Sequence, residues 1–201
     1  STPCGTLFPY TTLFRSDHFI EQSSYRAVMN FCLCRDANTC EDYPVDLGCL
    51  FLGEAAKNIH TDVHRSVTKE EARAHVRRYR EAGLVSIIGR AKFDSIMLDA
   101  GPHDKLMTIC GCCPCCCITR ALPFVPTSLS DFYQKMPGIS VQVNDNCIGC
   151  GVCVDACIYD GIVLDGDVAR TTESCRACGR CVQACPNNSL EISVTDDSYV
   201  Q

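Results

Sequence analysis

The chain has 201 residues, of which 19 are cysteine, and its 24 acidic and 18 basic side chains give a formal net charge of −6. A hydrophobic share of 46% is enough to build packed cores and excludes a disordered chain. The apolar runs, such as GLVSIIG, stay far below the roughly 18 residues of a spanning helix, and the acidic balance disfavours nucleic acid.

Cysteine at this density points either to a disulfide scaffold or to metal and cluster binding. Disulfide scaffolds are usually short and secreted, whereas this chain shows no basic n-region followed by an apolar h-region. The expectation is therefore a reducing, cytoplasmic setting with thiols available as ligands. The charge is uneven. From residue 141 onward there are nine acidic side chains, three arginines and no lysine, so this region carries the whole net charge. Such a face suits docking onto a basic redox partner, and equally a solvated surface that aids solubility.

In chain order, residues 1–16 contain TLFPYTTLFRS, which resembles the translation of a sequencing adapter. They are set aside as a non-native or flexible tail, together with Cys4. Residues 17–118 form a cysteine-rich domain, expected to be mainly helical. Its first thiols are Cys32, Cys34, Cys40 and Cys49 in FCLCRDANTCEDYPVDLGC. Leu47, Leu50, Phe51, Glu54 and Ala55 fall at helical spacing and predict a helix near 45–58. TKEEARAHVRRYREAG predicts a second helix, with Thr68 and Glu71 as a capping box, Ala72, His75, Val76 and Tyr79 as the apolar stripe, and Gly83 as the stop. LVSIIG reads as a buried strand.

The run ICGCCPCCC follows, with Cys110, Cys112, Cys113, Cys115, Cys116 and Cys117. Gly111 and Pro114 argue against a continuous helix there. Alternation in extended chain would turn Cys113, Cys115 and Cys117 one way and Cys110, Cys112 and Cys116 elsewhere. Residues 119–138 carry Pro123, Pro126 and Pro137 and read as a connector. The last domain spans 139–201, opening with ISVQVND as a strand.

An internal repeat follows. Cys147, Cys150, Cys153 and Cys157 recur as Cys175, Cys178, Cys181 and Cys185, each displaced by 28 residues. Two-residue gaps let a looping backbone offer three thiolates to one cubane and turn its N–H groups toward sulfur, and Gly149, Gly151 and Gly179 permit the close approach. GIVLDGDVAR reads as a hairpin turning at Asp165-Gly166.

Residues 139–194 resemble a bacterial-type two-[4Fe–4S] ferredoxin domain. The resemblance implies β-hairpins and short helices about a pseudo-two-fold axis, hence an α+β class, and single-electron transfer. It implies that one cluster takes Cys147, Cys150, Cys153 and Cys185, and the other Cys175, Cys178, Cys181 and Cys157. One departure is Cys157-Ile158, where the family has Cys-Pro, as at Cys185-Pro186. Residues 17–118 resemble, more distantly, N-terminal extensions on ferredoxin-like proteins of anaerobes, which carry a Cys-x-Cys-Arg segment and a later cysteine-dense run.

For the ten thiols outside the repeat, the expectation is at least one further iron–sulfur cluster, with zinc as the lesser alternative and free or redox-active thiols as the third. Arg35 stands beside Cys34, where it can bond a cluster sulfide or anion, or simply face solvent. His60 and His64 would make a ligand pair only on a helix. No Walker A loop, G-x-S-x-G elbow, HExxH or dinucleotide fingerprint occurs, so no catalytic residue is assigned. Three functions fit: an electron carrier, an electron-transferring reductase subunit with a catalytic cluster or reactive thiols at 110–117, or a chain whose cysteine-rich domain is a zinc-stabilised docking module for a larger complex.

Overall fold

The computed structural model describes residues 16–89, 92–118 and 138–195. They fall into two compact units, taken here one at a time, residues 16–118 and residues 138–195. Nearly all of the segment set aside at the N-terminus, and the proline-bearing connector up to residue 137, lie outside the described residues.

The first unit runs α1 (16–22), β1 (Arg26–Met29), α2 (Leu33–Ala37), β2 (Leu50–Leu52), a 3-10 turn (Glu54–Asn58), β3 (His64–Ser66), α3 (Lys69–Glu81), β4 (Val85–Gly89), α4 (Lys92–Met97) and β5 (Met107–Cys112). The strands form one antiparallel sheet in the order β3-β1-β2-β5-β4. The unit is therefore built on a sheet, not on helices. The helix expected over 45–58 is replaced by β2 and the 3-10 turn. Leu50, Phe51 and Leu52 are all buried because β2 is central and covered on both faces. Leu50 and Leu52 join the core under α3, with Val28, Val76 and Ile109. Phe51 points into a second core with Met29, Ala56 and Leu106. A run buried on both faces carries no period of two, so its spacing passes for a helix.

The helix α3 matches its sequence. The Thr68 side chain accepts from the Glu71 N–H and the Glu71 carboxylate accepts from the Thr68 N–H. Ala72, His75, Val76 and Tyr79 face the sheet. The Tyr79 hydroxyl donates to the Gly48 carbonyl at 2.5 Å, and His75 Nε2 lies 2.7 Å from the same oxygen. Gly111 lies so close to Tyr79 that a Cβ there would meet the ring at 2.5 Å. The helix is thus locked onto the two segments, 47–49 and 109–112, that carry cysteines. LVSIIG is β4, as its apolar run predicts.

The second unit pairs β6 (Ile139–Val143) with β9 (Leu190–Val194), and β7 (Ile162–Asp165) with β8 (Val168–Thr171), both antiparallel. Two short helices, α5 (Val152–Asp155) and α6 (Arg180–Ala184), each start from a glycine in the left-handed region, Gly151 at φ 79° and Gly179 at φ 81°. The 28-residue repeat extends to the backbone. Gly149 (φ 66°) is matched by Ala177 (φ 51°), and Asp160 by Asn188, both at φ 51°. Since the left-handed region is costly for residues with a Cβ, this pattern is imposed by the turns and not by local preference. The hairpin turns one residue later than expected: Asp165 still pairs with Val168, leaving Gly166 and Asp167 as the loop, with Gly166 at φ 62°.

Candidate metal centres

In the second unit, both runs contribute to each group of thiols. Cys147, Cys150, Cys153 and Cys185 line one hollow, closed by Ile148, Leu164, Ala169 and Leu190. The other four lie together: Cys157 and Cys175 are electrostatic neighbours of both Cys178 and Cys181. The short helices α5 and α6 carry Cys153 and Cys181 inward, and both are buried.

Backbone N–H groups point at the sulfurs in matched positions. Gly161 donates to Cys157 Sγ at 3.2 Å, and Ser189, 28 residues later, donates to Cys185 Sγ at 3.3 Å. Isoleucine in place of proline after Cys157 therefore leaves that turn intact. Ala169 donates to Cys147 Sγ at 3.4 Å, and the Ser189 hydroxyl lies 3.0 Å from Cys185 Sγ. These contacts set the thiol acidities. The Ala169 and Gly149 N–H groups hold Cys147 below the ordinary thiol range. Burial would raise Cys185, but the hydroxyl and N–H of Ser189 bring it down. Burial pushes Cys178 up to about 11 and Cys181 up to about 12. Closeness elsewhere is extreme: a Cβ on Gly149 would lie 2.7 Å from the Asp167 carbonyl oxygen, so the first cysteine loop is pressed against the β7–β8 turn.

The ten thiols of the first unit separate into three groups. Cys40, Cys113, Cys115 and Cys116 have sulfurs all within 4.8 Å of one another, with Cys40 and Cys115 at 3.5 Å. The Cys116 N–H donates to Cys113 Sγ at 3.3 Å. Burial and the Cys40 thiol push Cys115 up, and the Cys40 thiol and burial do the same to Cys116, while Cys40 is lowered because its bonds from Cys116 and Cys115 outweigh its own burial. A tetrahedral ion with metal–sulfur bonds of about 2.3 Å has sulfur–sulfur edges of about 3.8 Å, which the spacing of this quartet spans. A cubane sets its four irons at separate corners and spreads its outer thiolates further.

A second group is a chain of contacts: Cys32 to Cys34, Cys34 to Cys117, and Cys117 to Cys112. Cys49 and Cys110 form the third. Leu50 pairs with Ile109 across β2 and β5, so these two thiols face each other one step along the ladder and hydrogen-bond. The expected alternation therefore fails after β5. The chain turns at 114–116, and Cys116 joins Cys113 and Cys115, whereas Cys117 returns to the side of Cys112. Pro114 is the sequence signal for that turn.

Arg35, which in sequence could equally face solvent, is fully buried. Its Nη1 donates to the Gly111 carbonyl at 2.8 Å, Nη2 to Leu47 at 2.5 Å and Nε to Pro44 at 2.9 Å. His64 Nδ1 lies 3.0 Å from the His60 carbonyl, His64 is on β3, and neither histidine belongs to a group of potential ligands among the described residues.

These features, two thiol cages formed by a cysteine repeat that crosses over between its halves, define an iron–sulfur fold of the ferredoxin type in the second unit. Residues 139–186 match the model of the family described as 4Fe-4S dicluster domain. No curated protein matches the chain. Among the described residues no helix is long and apolar enough to cross a membrane.

Proposed function

We propose that the protein transfers single electrons through two [4Fe–4S] clusters in a ferredoxin domain, residues 139–201, and that a cysteine-rich domain, residues 17–118, holds a further metal centre. The observation that carries this reading is the pair of thiol cages within a segment matching the 4Fe-4S dicluster family. Cys147, Cys150, Cys153 and Cys185 would hold one cluster, and Cys157, Cys175, Cys178 and Cys181 the other. Bound there, each cluster supplies one-electron chemistry at a potential tuned by hydrogen bonds, charge and exposure. The chain's part is to direct the N–H groups of Gly161, Ala169 and Ser189 at the sulfurs and to shield them with Ile162, Leu190 and Val182, all buried.

Cys40, Cys113, Cys115 and Cys116 would hold the centre of the first domain. Their spacing favours a single tetrahedral ion, zinc or iron, over the further cluster expected from sequence. Four thiols fill the valence of such an ion and leave no open position, which supports a carrier over a reductase with a catalytic cluster at 110–117. A redox partner with a basic surface suits the ferredoxin domain, in which the side chains of Asp145, Asp155, Asp160, Asp165, Asp167, Glu173 and Glu191 are all exposed. Ile148, next to Cys147, is 67% exposed and gives an apolar contact beside one cluster. A reducing, cytoplasmic setting fits all these thiolates.

The test is reduction of the anaerobically purified chain, followed by EPR. Two magnetically interacting one-electron signals are expected, and Cys150→Ser should remove or alter one of them. A chain that accepts no electrons would refute the proposal.

A further inference from the structure

The quartet around Cys40 leaves six thiols of the first domain unexplained, and a buried cation stands among them. Arg35 is always charged, fully buried, and bonded to three carbonyls, and it has no carboxylate partner among the described residues. Its titratable neighbours are the thiols of Cys32, Cys49 and Cys113, and it hydrogen-bonds to Cys113, a member of the quartet. A buried cation needs compensating negative charge. Neutral thiols cannot supply it, whereas thiolates bound to metal can.

The thiols beyond Arg35 have the composition of a second site. Cys32 and Cys34 come from the start of α2, and Cys112 and Cys117 flank the turn that carries the quartet. They touch in a chain, Cys32–Cys34–Cys117–Cys112, and Cys32 and Cys34 also neighbour Cys112; the chain is more open than the quartet, whose sulfurs all lie within 4.8 Å of one another. The pattern is reciprocal. The segment 32–40 gives two thiols to one group and one to the other, and the run 112–117 gives two and three. Adjacent pairs, Cys112-Cys113 and Cys116-Cys117, split between the two groups. Consecutive cysteines in one tight turn can serve two centres in this way without sharing a ligand.

We propose that Cys32, Cys34, Cys112 and Cys117 form a second thiolate metal site beside the Cys40 quartet, with Arg35 between them as the cation common to both. The ligand class is a thiophilic centre, either a single ion or an iron–sulfur cluster. This rests on reading the first domain as metal-holding, yet it can fail separately from that reading.

The experiment uses the full chain, purified without oxygen, with iron, acid-labile sulfide and zinc measured per chain. A Cys34→Ser/Cys117→Ser variant should lose one centre and keep the metal of the quartet and of the ferredoxin domain. Loss of one ion without sulfide identifies a single-ion site, loss of iron with equal sulfide identifies a cluster, and both support the proposal. Wild-type metal content in that variant overturns it. A Cys40→Ser/Cys116→Ser variant reads the quartet alone, so its failure to lose metal would refute the quartet and leave the second site standing. The unmutated protein guards against misfolding. Half-buried Cys34 should alkylate at least tenfold faster after a chelator strips the metal, and equal rates before and after would overturn the proposal. Arg35→Met should speed chelator release from both centres at least tenfold with Arg35→Lys restoring part of the loss; unchanged release overturns its role.

Discussion

Gly149→Ala is the sharpest perturbation of the ferredoxin cages. The residue has φ 66°, and a Cβ would stand 2.7 Å from the carbonyl oxygen and 2.9 Å from the Cα of Asp167, both backbone atoms. The left-handed conformation alone costs alanine about 1–2 kcal/mol. Forcing the β7–β8 turn away adds about 1–3 kcal/mol by analogy with overpacked cores. A total of about 3 kcal/mol corresponds to a roughly hundredfold loss in equilibrium terms. That loss falls on the loop carrying Cys147 and Cys150, so it should show as weaker retention of one cluster. The assay is the chelator challenge of loaded full-length protein, following iron release, with the iron of one of the two cubanes leaving faster. The control is the repeat-equivalent Ala177→Gly. Relief of its left-handed strain, φ 51°, is offset by the wider freedom of glycine in the unfolded chain, about 0.4–1 kcal/mol, so retention should change little. Wild-type retention by Gly149→Ala would refute the argument that this loop is closed against the hairpin.

Two further outcomes follow from single hydrogen bonds. Ser189→Ala removes a hydroxyl 3.0 Å from Cys185 Sγ; donors to sulfur stabilise the more negative reduced state, so the potential of that cluster should fall, by about 40 mV for about 1 kcal/mol of differential bonding, and a potentiometric EPR titration showing no fall would contradict this. Asp94 accepts from the Thr108 hydroxyl at 2.6 Å, yet burial raises its carboxyl above the ordinary value of 3.8. A folded pKa above the unfolded one means the stability it contributes is complete below about pH 3.8 and is lost as pH rises through the folded value. Asp94→Asn should therefore raise the thermal midpoint at pH 7 and give no gain below pH 3.8, and a lowered midpoint at pH 7 would count against it.

The two thiol groups of the second unit were legible in sequence because the cysteine spacing is itself the signal: eight cysteines at one displacement of 28 residues place the turns, the short helices and the sulfur-directed N–H groups together. The repeat even predicts where the backbone is left-handed, although Ala177 and Asn188 hide it by carrying side chains where glycine is preferred. The first domain was less legible. Leu50–Leu52 lies in a central strand with both faces buried, so its apolar run lacked the alternation that marks an edge or a one-sided strand. The helix α3 was readable because capping box and stripe are local. The partition of ICGCCPCCC was not, because it depends on the turn after Pro114 and on partners at 32, 34 and 40, which only the tertiary fold brings near. The burial of Arg35 had no local signal, since its three carbonyl partners come from residues 44, 47 and 111.

The most direct measurement is the joint determination of iron, acid-labile sulfide and zinc in the anaerobically purified full chain. Two cubanes require about eight iron and eight sulfide per chain, and the thiol groups of the first domain require metal beyond that amount. Eight or more sulfide with additional thiolate-bound iron or zinc is the predicted result. Zinc without sulfide, or a metal-free chain with ordered thiols, would contradict the account.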